Sequence, residues 1–438
     1  MEQSIKQRIA DIRRGNVPAG YKRTKLGIIP IGWQTPELNS VLSENKERNR
    51  SGRFSKEDVL SVSGEFGVTN QIDLLGRSFA GVSVKDYHVV ESGNIVYTKS
   101  PLKSNPYGII KLNKGEAGIV STLYAVYNCQ SHDIGTYLDY YFSIDRNVNS
   151  YLRPLVRKGT KNDMKINNED ALGGLIILPP EAEIKKIVEI LECCDRVIAL
   201  KKKLIAEKKK QKRALMQKLL NPDSGFRLPG FSGEWKMYEL RDLYSFRKSL
   251  CASRAQLGVH GIAYLHYGDI HKSTKYYIDV LNEFDNLPKL NIAANCSEYM
   301  LMDGDVVFVD ASEDYDGASK YIVVINPNKK PFLAGLHTIV ARPQKQFLSK
   351  SFQQFCFQNW VVRHQFFHYT SGMKVFGMNI ENLGKVKLSL PAIKEQQAIA
   401  DILSAADREI DLLEQALAQQ QQKKKSLMQL LLTGTARV

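Results

Sequence analysis

Three short stretches carry residue types that could do chemistry. Ser104-Asn105-Pro106-Tyr107 approaches the N/D-P-P-Y/F loop of an adenine methyltransferase, but it lacks the second proline, and no Gly-rich cofactor loop accompanies it. Glu183-Ile184-Lys185 has the E-x-K letters of a nuclease, but no Asp lies on a preceding strand. Gly384-Lys385 lacks the remaining residues of the phosphate-binding pattern G-x-x-x-x-G-K-S/T. No stretch completes a catalytic motif, and residues 104–107 are predicted to form a turn.

The histidines and cysteines do not form a metal-binding pattern. His364 and His368 are i, i+4 neighbours in a predicted helix, but no Glu or third ligand lies nearby, which favours packing or contact with DNA over zinc. The six cysteines contain no C-x-x-C pair, which is typical of reduced residues in a cytosolic protein. We therefore predict a chain without a metal site.

Composition and charge narrow the class of protein. The chain has 438 residues, of which 43% are apolar, so two or more domains with buried cores are expected. Lys and Arg outnumber Asp and Glu by 61 to 46, and the formal net charge of +15 favours a nucleic-acid partner over the alternative of a solvated basic surface. The N-terminus has no signal-peptide pattern and the longest apolar run, residues 172–180, is too short to span a bilayer, so a cytoplasmic protein away from the membrane is predicted.

Four basic loops carry side chains that could contact double-stranded DNA. Reading DNA requires Arg, Lys, Asn or Gln at base edges, with further cations on phosphates. For each of these side chains the alternative is a solvated surface charge. The candidates are Lys99, Lys103, Asn105, Tyr107, Arg157, Lys158, Thr160, Lys161 and Asn162 in the first half of the chain, and His271, Lys272, Lys275, Arg363, His364 and Lys374 in the second.

An internal repeat supplies the elements that must position these loops. A shift of 212 residues aligns residues 178–220 with residues 390–432 without a gap, and the two copies close on LMQKLL and LMQLLL. After the opening prolines, each copy carries Glu in its first turn and runs about 40 residues without Gly or Pro, which predicts one long helix. At a rise of 1.5 Å per residue such a helix is roughly 60 Å long, so it needs a partner of its own length.

Apolar residues at a 4-3 spacing predict a coiled-coil seam along each copy, with a polar interruption toward its C-terminal third. The first copy has twelve Lys and Arg against six Asp and Glu, and the second has five against six, which favours pairing of the two copies with each other. Because a domain lies between them, the pair is predicted to be antiparallel. The seam residues are Ile187, Leu191, Ile198, Ile205, Leu215 and Leu219 in the first copy, and Ile399, Leu403, Ile410, Leu413, Leu417, Leu427 and Leu431 in the second.

The regions before the two helices correspond more loosely. Trp33 and Trp235 occupy equivalent places, and SGNIVYT at 92–98 resembles DGDVVFV at 303–309. Short β-rich runs separated by Gly, Asn and Pro, with helical stretches near 137–152 and 351–367, predict an α+β head in each half. The predicted fold is thus α+β, with heads at 1–177 and 221–389 and helices at 178–220 and 390–438. The two helices form an antiparallel intramolecular coiled coil with a pseudo-two-fold repeat.

This organisation resembles the specificity (S) subunit of Type I restriction-modification systems. The matching motifs are G-x-x-P-x-G-W at 27–33, G-F-S-G-E-W at 230–235, L-P-x-x-x-E-Q at 390–396, and the two helices that close on Leu-Met-Gln. One departure is Glu183-Ile184, where the family has Glu-Gln. The departure bears only on contacts at the start of that helix.

The resemblance implies that the heads are target recognition domains, each reading one half of a bipartite asymmetric DNA site, and that the helices set the unspecified spacer. It also implies that the chain catalyses no reaction itself and binds no cofactor. The helices would dock two methyltransferase subunits, which use S-adenosylmethionine to methylate adenine N6, and, where present, two restriction subunits that use ATP and Mg²⁺. Base-reading residues vary within the family, so the resemblance assigns none here.

Two alternatives remain open from the sequence. One is an S subunit of a system that cleaves beside its site without translocating, in which nuclease and methyltransferase share one polypeptide. The other is a stand-alone two-headed DNA-binding repressor, or a coiled-coil adaptor, with no enzyme attached. Separate methylase and helicase genes beside this one would favour the translocating system, whereas tight specific binding by the chain alone would favour the repressor.

The loop at residues 153–165 generates a first prediction. Replacing Arg157 or Lys161 by alanine should weaken DNA binding, and it should reduce the slope of log affinity against log salt by about one for each phosphate that the side chain neutralises. The measurement is a salt titration of DNA affinity for each variant. Unchanged affinity and slope in both variants would remove this loop from the interface.

Overall fold

The computed structural model describes residues 2–102, 104–158, 164–292, 296–314, 317–344, 347–372 and 374–438. The α-helices are α1 (Glu2–Arg13), α2 (Gln71–Leu75), α3 (His132–Phe142), α4 (Asp145–Leu152), α5 (Glu181–Leu219), α6 (Leu240–Leu243), α7 (Tyr267–Lys272), α8 (Val280–Glu283), α9 (Lys350–Cys356), α10 (Trp360–Tyr369), α11 (Ile380–Gly384) and α12 (Ile393–Leu431). Across the part of the chain that is described, every helix is too short or too polar to cross a bilayer.

The strands are short, as expected for runs punctuated by Gly and Asn. In the first half they are β1 (Tyr21–Thr24), β2 (Gly27–Pro30), β3 (Leu42–Glu44), β4 (Leu60–Ser63), β5 (Gly67–Asn70), β6 (His88–Val90), β7 (Ile95–Thr98), β8 (Ile109–Leu112), β9 (Gly118–Val120), β10 (Tyr124–Cys129), β11 (Arg157–Lys158) and β12 (Met164–Lys165). In the second half they are β13 (Lys236–Glu239), β14 (Tyr244–Arg247), β15 (Leu257–Gly258), β16 (Ile262–Leu265), β17 (Tyr277–Asp279), β18 (Lys289–Leu290), β19 (Val306–Val309), β20 (Ala311–Ser312), β21 (Tyr321–Ile325), β22 (Phe332–Ala334), β23 (Thr338–Pro343), β24 (Phe376–Gly377) and β25 (Lys387–Leu390).

The chain divides into two compact units, and each combines one head with parts of both long helices. Unit 1 contains residues 1–201 and 416–438, and unit 2 contains residues 202–415. The boundaries therefore fall inside α5 and α12, not at their ends. The division into four segments at 177, 220 and 389 stays a prediction, because it describes chain segments and the units describe packing.

The first head is built on an antiparallel sheet in the order β3-β10-β7-β8. One face of this sheet packs with α3 and α4 in a core that includes Tyr97, Tyr137 and Phe142, and the helix residues Leu191 and Leu431 join the same core. The other face carries a small valine cluster under the β4–β5 hairpin. The seam of the long helices is thus continuous with the interior of the head.

The second head repeats this sheet and adds to it. Its main sheet has the order β14-β23-β19-β21-β17, in which β17 pairs parallel to β21 and the other pairs are antiparallel. A second sheet, β15-β18-β16-β22, covers it on one side. Strands β7 and β19, which come from the two similar sequences SGNIVYT and DGDVVFV, occupy the same third position in their sheets. The predicted correspondence of the heads is confirmed at this point.

The helical stretches predicted near 137–152 and 351–367 are each broken into two helices. In the first head α3 ends at Phe142 and α4 begins at Asp145, with Ile144 in extended backbone between them. In the second head α9 ends at Cys356 and α10 begins at Trp360, where the Asn359 side chain accepts a hydrogen bond from the Val361 N–H. The predicted stretches lie in the right places, but periodicity alone does not register the caps that break them.

The two long helices have the predicted length and the predicted buried stripe. Both α5 and α12 contain 39 residues. Every predicted seam residue is buried or half-buried, for example Ile187 at 1% exposure and Leu431 at 3%, whereas neighbours off the seam such as Leu200 (67%) and Leu412 (65%) are exposed. The 4-3 stripe and the packed face of each helix therefore coincide.

Ion pairs show that the helices are antiparallel within each unit. In unit 1 Asp195 pairs with Lys424, and Glu183, which comes earlier in the chain, pairs with Arg437, which comes later. In unit 2 Lys212 pairs with Asp407, and Lys208 pairs with Glu409. Residue numbers rise along one helix of the pair as they fall along the other, which confirms the predicted intramolecular antiparallel coiled coil.

A buried carboxylate anchors the start of each long helix. Glu183 is 6% exposed, accepts a hydrogen bond from Trp33 Nε1 at 2.9 Å, and receives two more from the Arg437 guanidinium at 3.1 and 3.0 Å. Its counterpart Glu395 is 2% exposed and accepts two hydrogen bonds from Arg227 at 2.8 and 2.7 Å. Fixed partners offset the cost of burying each charge.

The departure from the family motif at Glu183-Ile184 has a local explanation. In the second copy Gln396 is 1% exposed and donates hydrogen bonds to the carbonyls of Phe347 and Pro391. In the first copy Ile184, at 2% exposure, packs into the core of the first head. An apolar residue replaces the buried amide where the head offers apolar neighbours.

The seam generates a second prediction. Truncation of Leu191 or Leu403 to alanine should lower the free energy of unfolding by about 2–5 kcal/mol each, because both side chains are fully buried and their removal leaves a cavity. Leu200→Ala on the exposed face of α5 is the matched control and should change it by less than about 0.5 kcal/mol. Urea denaturation followed by circular dichroism measures all three. An equal effect of the three substitutions would contradict the assigned seam.

Candidate nucleic-acid interface

Lys99, a predicted DNA contact, forms hydrogen bonds inside the first head. Its ammonium donates hydrogen bonds to the Ile166 carbonyl at 3.0 Å and to Asn168 Oδ1 at 2.7 Å. Burial lowers the pKa of Lys99, and nearby Glu44 acts in the opposite direction. The side chain thus ties β7 to the segment before α5, and its assignment as a DNA contact stays a prediction.

Asn105 and Tyr107 also make contacts within the first head. Asn105 is 6% exposed, donates a hydrogen bond to Asp145 Oδ1 at 2.9 Å and accepts one from Asn149 Nδ2 at 3.1 Å. Tyr107 packs half-buried against the core, and its carbonyl accepts a hydrogen bond from the Tyr97 hydroxyl. The segment forms the predicted turn, and its polar side chains hold that turn against α4. The assignment of Asn105 and Tyr107 as DNA contacts stays a prediction, and Lys103 lies outside the described residues.

Arg157 keeps the geometry of a candidate contact. It lies exposed on β11, which pairs with β12 to form a short hairpin. Its neighbour Lys158 shares the strand, and Thr160, Lys161 and Asn162 lie outside the described residues. The assignment of Arg157 as a DNA contact stays a prediction.

The α7 region of the second head presents two exposed lysines. Lys272 ends α7, and Lys275 follows it with its ammonium 5.4 Å from the centre of the Tyr277 ring. His271 is half-buried, and its carbonyl accepts a hydrogen bond from Lys320, a cation absent from the predicted contacts. Lys320 also bonds the Ser273 carbonyl, so it fixes the backbone that displays the two lysines.

The α10 helix carries a strip of cationic and aromatic side chains. Arg363 is half-buried with its guanidinium 5.2 Å from the Phe367 ring, and exposed His364 lies 5.7 Å from the Trp360 ring. Trp360 is 65% exposed, which is unusual for so large an apolar side chain and typical of a contact surface. Lys374 lies exposed beyond the helix, in the turn before β24. Trp360 was absent from the predicted contacts, although an aromatic residue beside the Arg363-His364 pair was a usable signal.

Two residues from the stretches considered for catalysis, Glu183 and Lys385, form ion pairs within the protein. The Glu183 carboxylate is bound by Trp33 and Arg437, and Lys385 forms an i, i+4 ion pair with Glu381 at 2.6 Å. Among the residues that the structure describes, no group of three or more His, Cys, Asp or Glu side chains could hold a metal ion. The carboxylate of Glu183 and the ammonium of Lys385 are thus held in ion pairs within the protein.

Each unit has a groove where its head meets the paired helices, and the two grooves are equivalent under the repeat. Groove 1, in unit 1, has a volume of about 700 Å³, and groove 2, in unit 2, about 710 Å³. The 212-residue shift carries Lys212 and Asp407 of groove 2 onto Lys424 and Asp195 of groove 1. The walls on the head side differ, since Trp360 lines groove 2 and Asp145 lines groove 1. The grooves thus combine a constant floor with a variable wall.

The sequence of the chain is similar to a known family and to several known proteins. Residues 232–421 match the family described as the Type I restriction modification DNA specificity domain. In Methanocaldococcus jannaschii, the Type I restriction enzyme MjaVIII specificity subunit is 25% identical over 285 residues, which span 60% of this chain and 62% of that protein. The putative type I restriction enzyme MjaX specificity subunit is 23% identical over 457 positions, which span 95% and 97%.

Solved structures show the same fold. A chain from a study of complex assembly and conformational transition of the type I R-M system superposes with a TM-score of 0.54 at 17% identity, covering 93% of this chain and 99% of that one. The S subunit of a Type-I restriction-modification system from M. genitalium gives a TM-score of 0.50 at 12% identity, covering 91% and 96%. The likeness extends over both heads and both long helices.

The α7 region generates a third prediction. Lys272→Ala and Lys275→Ala should each reduce the salt slope of DNA binding by about one, because each removes an exposed cation from the candidate interface. Lys203→Ala, an exposed lysine on α5, is the matched control and should leave the slope unchanged. The measurement is the DNA affinity of each variant over a series of salt concentrations. Equal reductions in all three variants would point to diffuse attraction by the basic surface and against a contact at α7.

Proposed function

We propose that this chain is the specificity (S) subunit of a Type I restriction-modification system and the non-catalytic DNA-reading subunit of its complex. The family match, the relatives and the structural neighbours support this proposal. Each head reads one half of a bipartite asymmetric DNA site. The paired helices set the spacer between the half-sites.

One observation carries this proposal: the protein repeats its scaffold and varies what the scaffold displays. The helices, their buried carboxylates and the four-strand sheet recur in both halves, whereas β17, the second sheet and the α10 strip belong to the second head alone. Two different exposed surfaces on one repeated framework suit two different half-sites. A roughly 60 Å helix can hold two readers about two turns of DNA apart, at near 34 Å per turn.

Partner docking is the second part of the proposal. Two methyltransferase subunits bind the helices and the adjoining grooves. The Lys, Asp, Met and Gln side chains that recur at equivalent positions in the two groove floors support the binding of two copies of one protein. These subunits bind S-adenosylmethionine and transfer its methyl group to adenine N6. Where restriction subunits are present, they supply ATP- and Mg²⁺-dependent translocation and cleavage.

Deletion of the gene generates the fourth prediction. N6-methyladenine mapped by long-read sequencing should show a bipartite motif with a fixed gap in the source strain, and that motif should be unmethylated in the deletion strain. The control is the deletion strain carrying the gene on a plasmid, which should regain the methylated motif. An unchanged methylation pattern would reject the proposal and favour the stand-alone repressor or adaptor.

A further inference from the structure

A lysine interrupts the apolar seam at the same place in both long helices. Lys212 and Lys424 occupy seam positions, and their side chains are only 16% and 19% exposed. Each ammonium forms an ion pair of 2.5 Å with an aspartate of the opposite helix: Lys212 with Asp407, and Lys424 with Asp195. A polar residue at a seam position is costly to bury and specifies register when only one alignment provides its partner.

In each unit, an aromatic side chain of the head lies beside the lysine of the ion pair. The ammonium of Lys424 lies 5.0 Å from the centre of the Tyr140 ring, and that of Lys212 lies 5.5 Å from the centre of the Phe355 ring. The Tyr140 hydroxyl also donates a hydrogen bond to Asp195 at 2.7 Å. Burial, reinforced by Asp195, raises the pKa of Tyr140, so the phenol keeps the proton that it donates. The same arrangement of lysine, aspartate and aromatic ring thus occurs once in each unit.

Comparing other registers of the two helices shows which alignments these ion pairs favour and which they exclude. A slip of one heptad in one direction preserves the apolar stripe but places Lys212 opposite Ala400, which offers no charge. In the other direction Lys212 meets Glu414, but the same slip places Lys424 opposite Lys202. A parallel alignment of the repeats would set Lys212 against Lys424. Only the observed antiparallel register gives both half-buried lysines an acidic partner.

We propose that the Lys212–Asp407 and Lys424–Asp195 pairs lock the register of the helix pair, and that they are specificity determinants because the register sets the spacer of the recognised site. The second clause rests on the proposed function, whereas the lock itself is a property of the isolated chain. Leucine-rich seams tolerate heptad slips, so the apolar residues supply affinity and the two lysines supply uniqueness.

Cysteine cross-linking of the purified chain tests the lock without DNA. In a background with the exposed Cys193 and Cys251 changed to serine, Lys208→Cys with Glu409→Cys reports the observed register, because those side chains meet at 2.6 Å. Lys208→Cys with Ile402→Cys reports a slip of one heptad. A short bifunctional thiol reagent should link only the first pair in the otherwise native chain.

Removing the lock should change register without unfolding the helices. Lys212→Met combined with Lys424→Met removes both lysines from the seam, and Asp407 and Asp195, at 38% and 42% exposure, stay accessible to water without them. The ratio of slipped to observed cross-link should rise about tenfold or more, because the charge-assisted bonds that favoured one register are gone. A ratio that stays at its original value in a folded Met variant would overturn the proposal.

Three further variants separate a register lock from a general effect of charge. Lys212→Asp places two carboxylates together and should also raise the ratio, and adding Asp407→Lys should restore it. Lys209→Ala removes an exposed pair with Glu414, whose side chains are 53% and 46% exposed, and should leave the ratio unchanged. A change with Lys209→Ala as large as that with Lys212→Asp would also overturn the lock.

Methylation mapping tests the consequence for the site. In cells that carry the Met variant, the original half-sites should be methylated at a second spacing in addition to the first. If cross-linking shows slippage while methylation keeps a single spacing, the lock stands but its role in specificity is rejected. If the native gene directs no bipartite methylation at all, the proposed function fails, and the cross-linking result still decides the lock.

Discussion

The structure depends on one constraint: a helix of 39 residues cannot bury an apolar stripe roughly 60 Å long against a small head. Each long helix therefore needs an equally long partner, and the second copy of the repeat provides it. The division into compact units follows from this, because each head packs on the start of its own helix and the end of the other. Neither head is complete without a segment from the far half of the chain.

The same constraint explains where charge is buried. Glu183 and Glu395 lie where a helix enters its head, and each is neutralised by an arginine that follows the end of the opposite helix. The C-terminal tail supplies Arg437, and the linker between the halves supplies Arg227, so these two segments have equivalent roles although one ends the chain and the other continues it. Tail and linker are thus structural parts of the repeat.

The heads show how a common sheet can present different surfaces. In the first head the polar residues of the 99–107 segment hold a turn, as the bonds of Lys99 and Asn105 show. In the second head cations and an exposed Trp360 remain on the outside, supported from beneath by Lys320 and by the core aromatics under α10. A basic loop in the sequence is therefore no guide to exposure, because a lysine bonds a carbonyl inside a head as readily as a phosphate outside it.

The sequence by itself determined the repeat, the length of both helices, their buried seam and their antiparallel pairing. These features follow from local periodicity and from the connection between the helices, which leave one way to bury the stripe. It also determined that strands β7 and β19 of the two heads correspond. Only the tertiary structure decided that each helical stretch of the heads is broken at a cap, that Lys99 and Asn105 face inward, and that Lys212 and Lys424 find aspartates across the seam. Those outcomes depend on which distant groups come within about 3 Å, and periodicity carries no information about contacts between residues far apart in the chain.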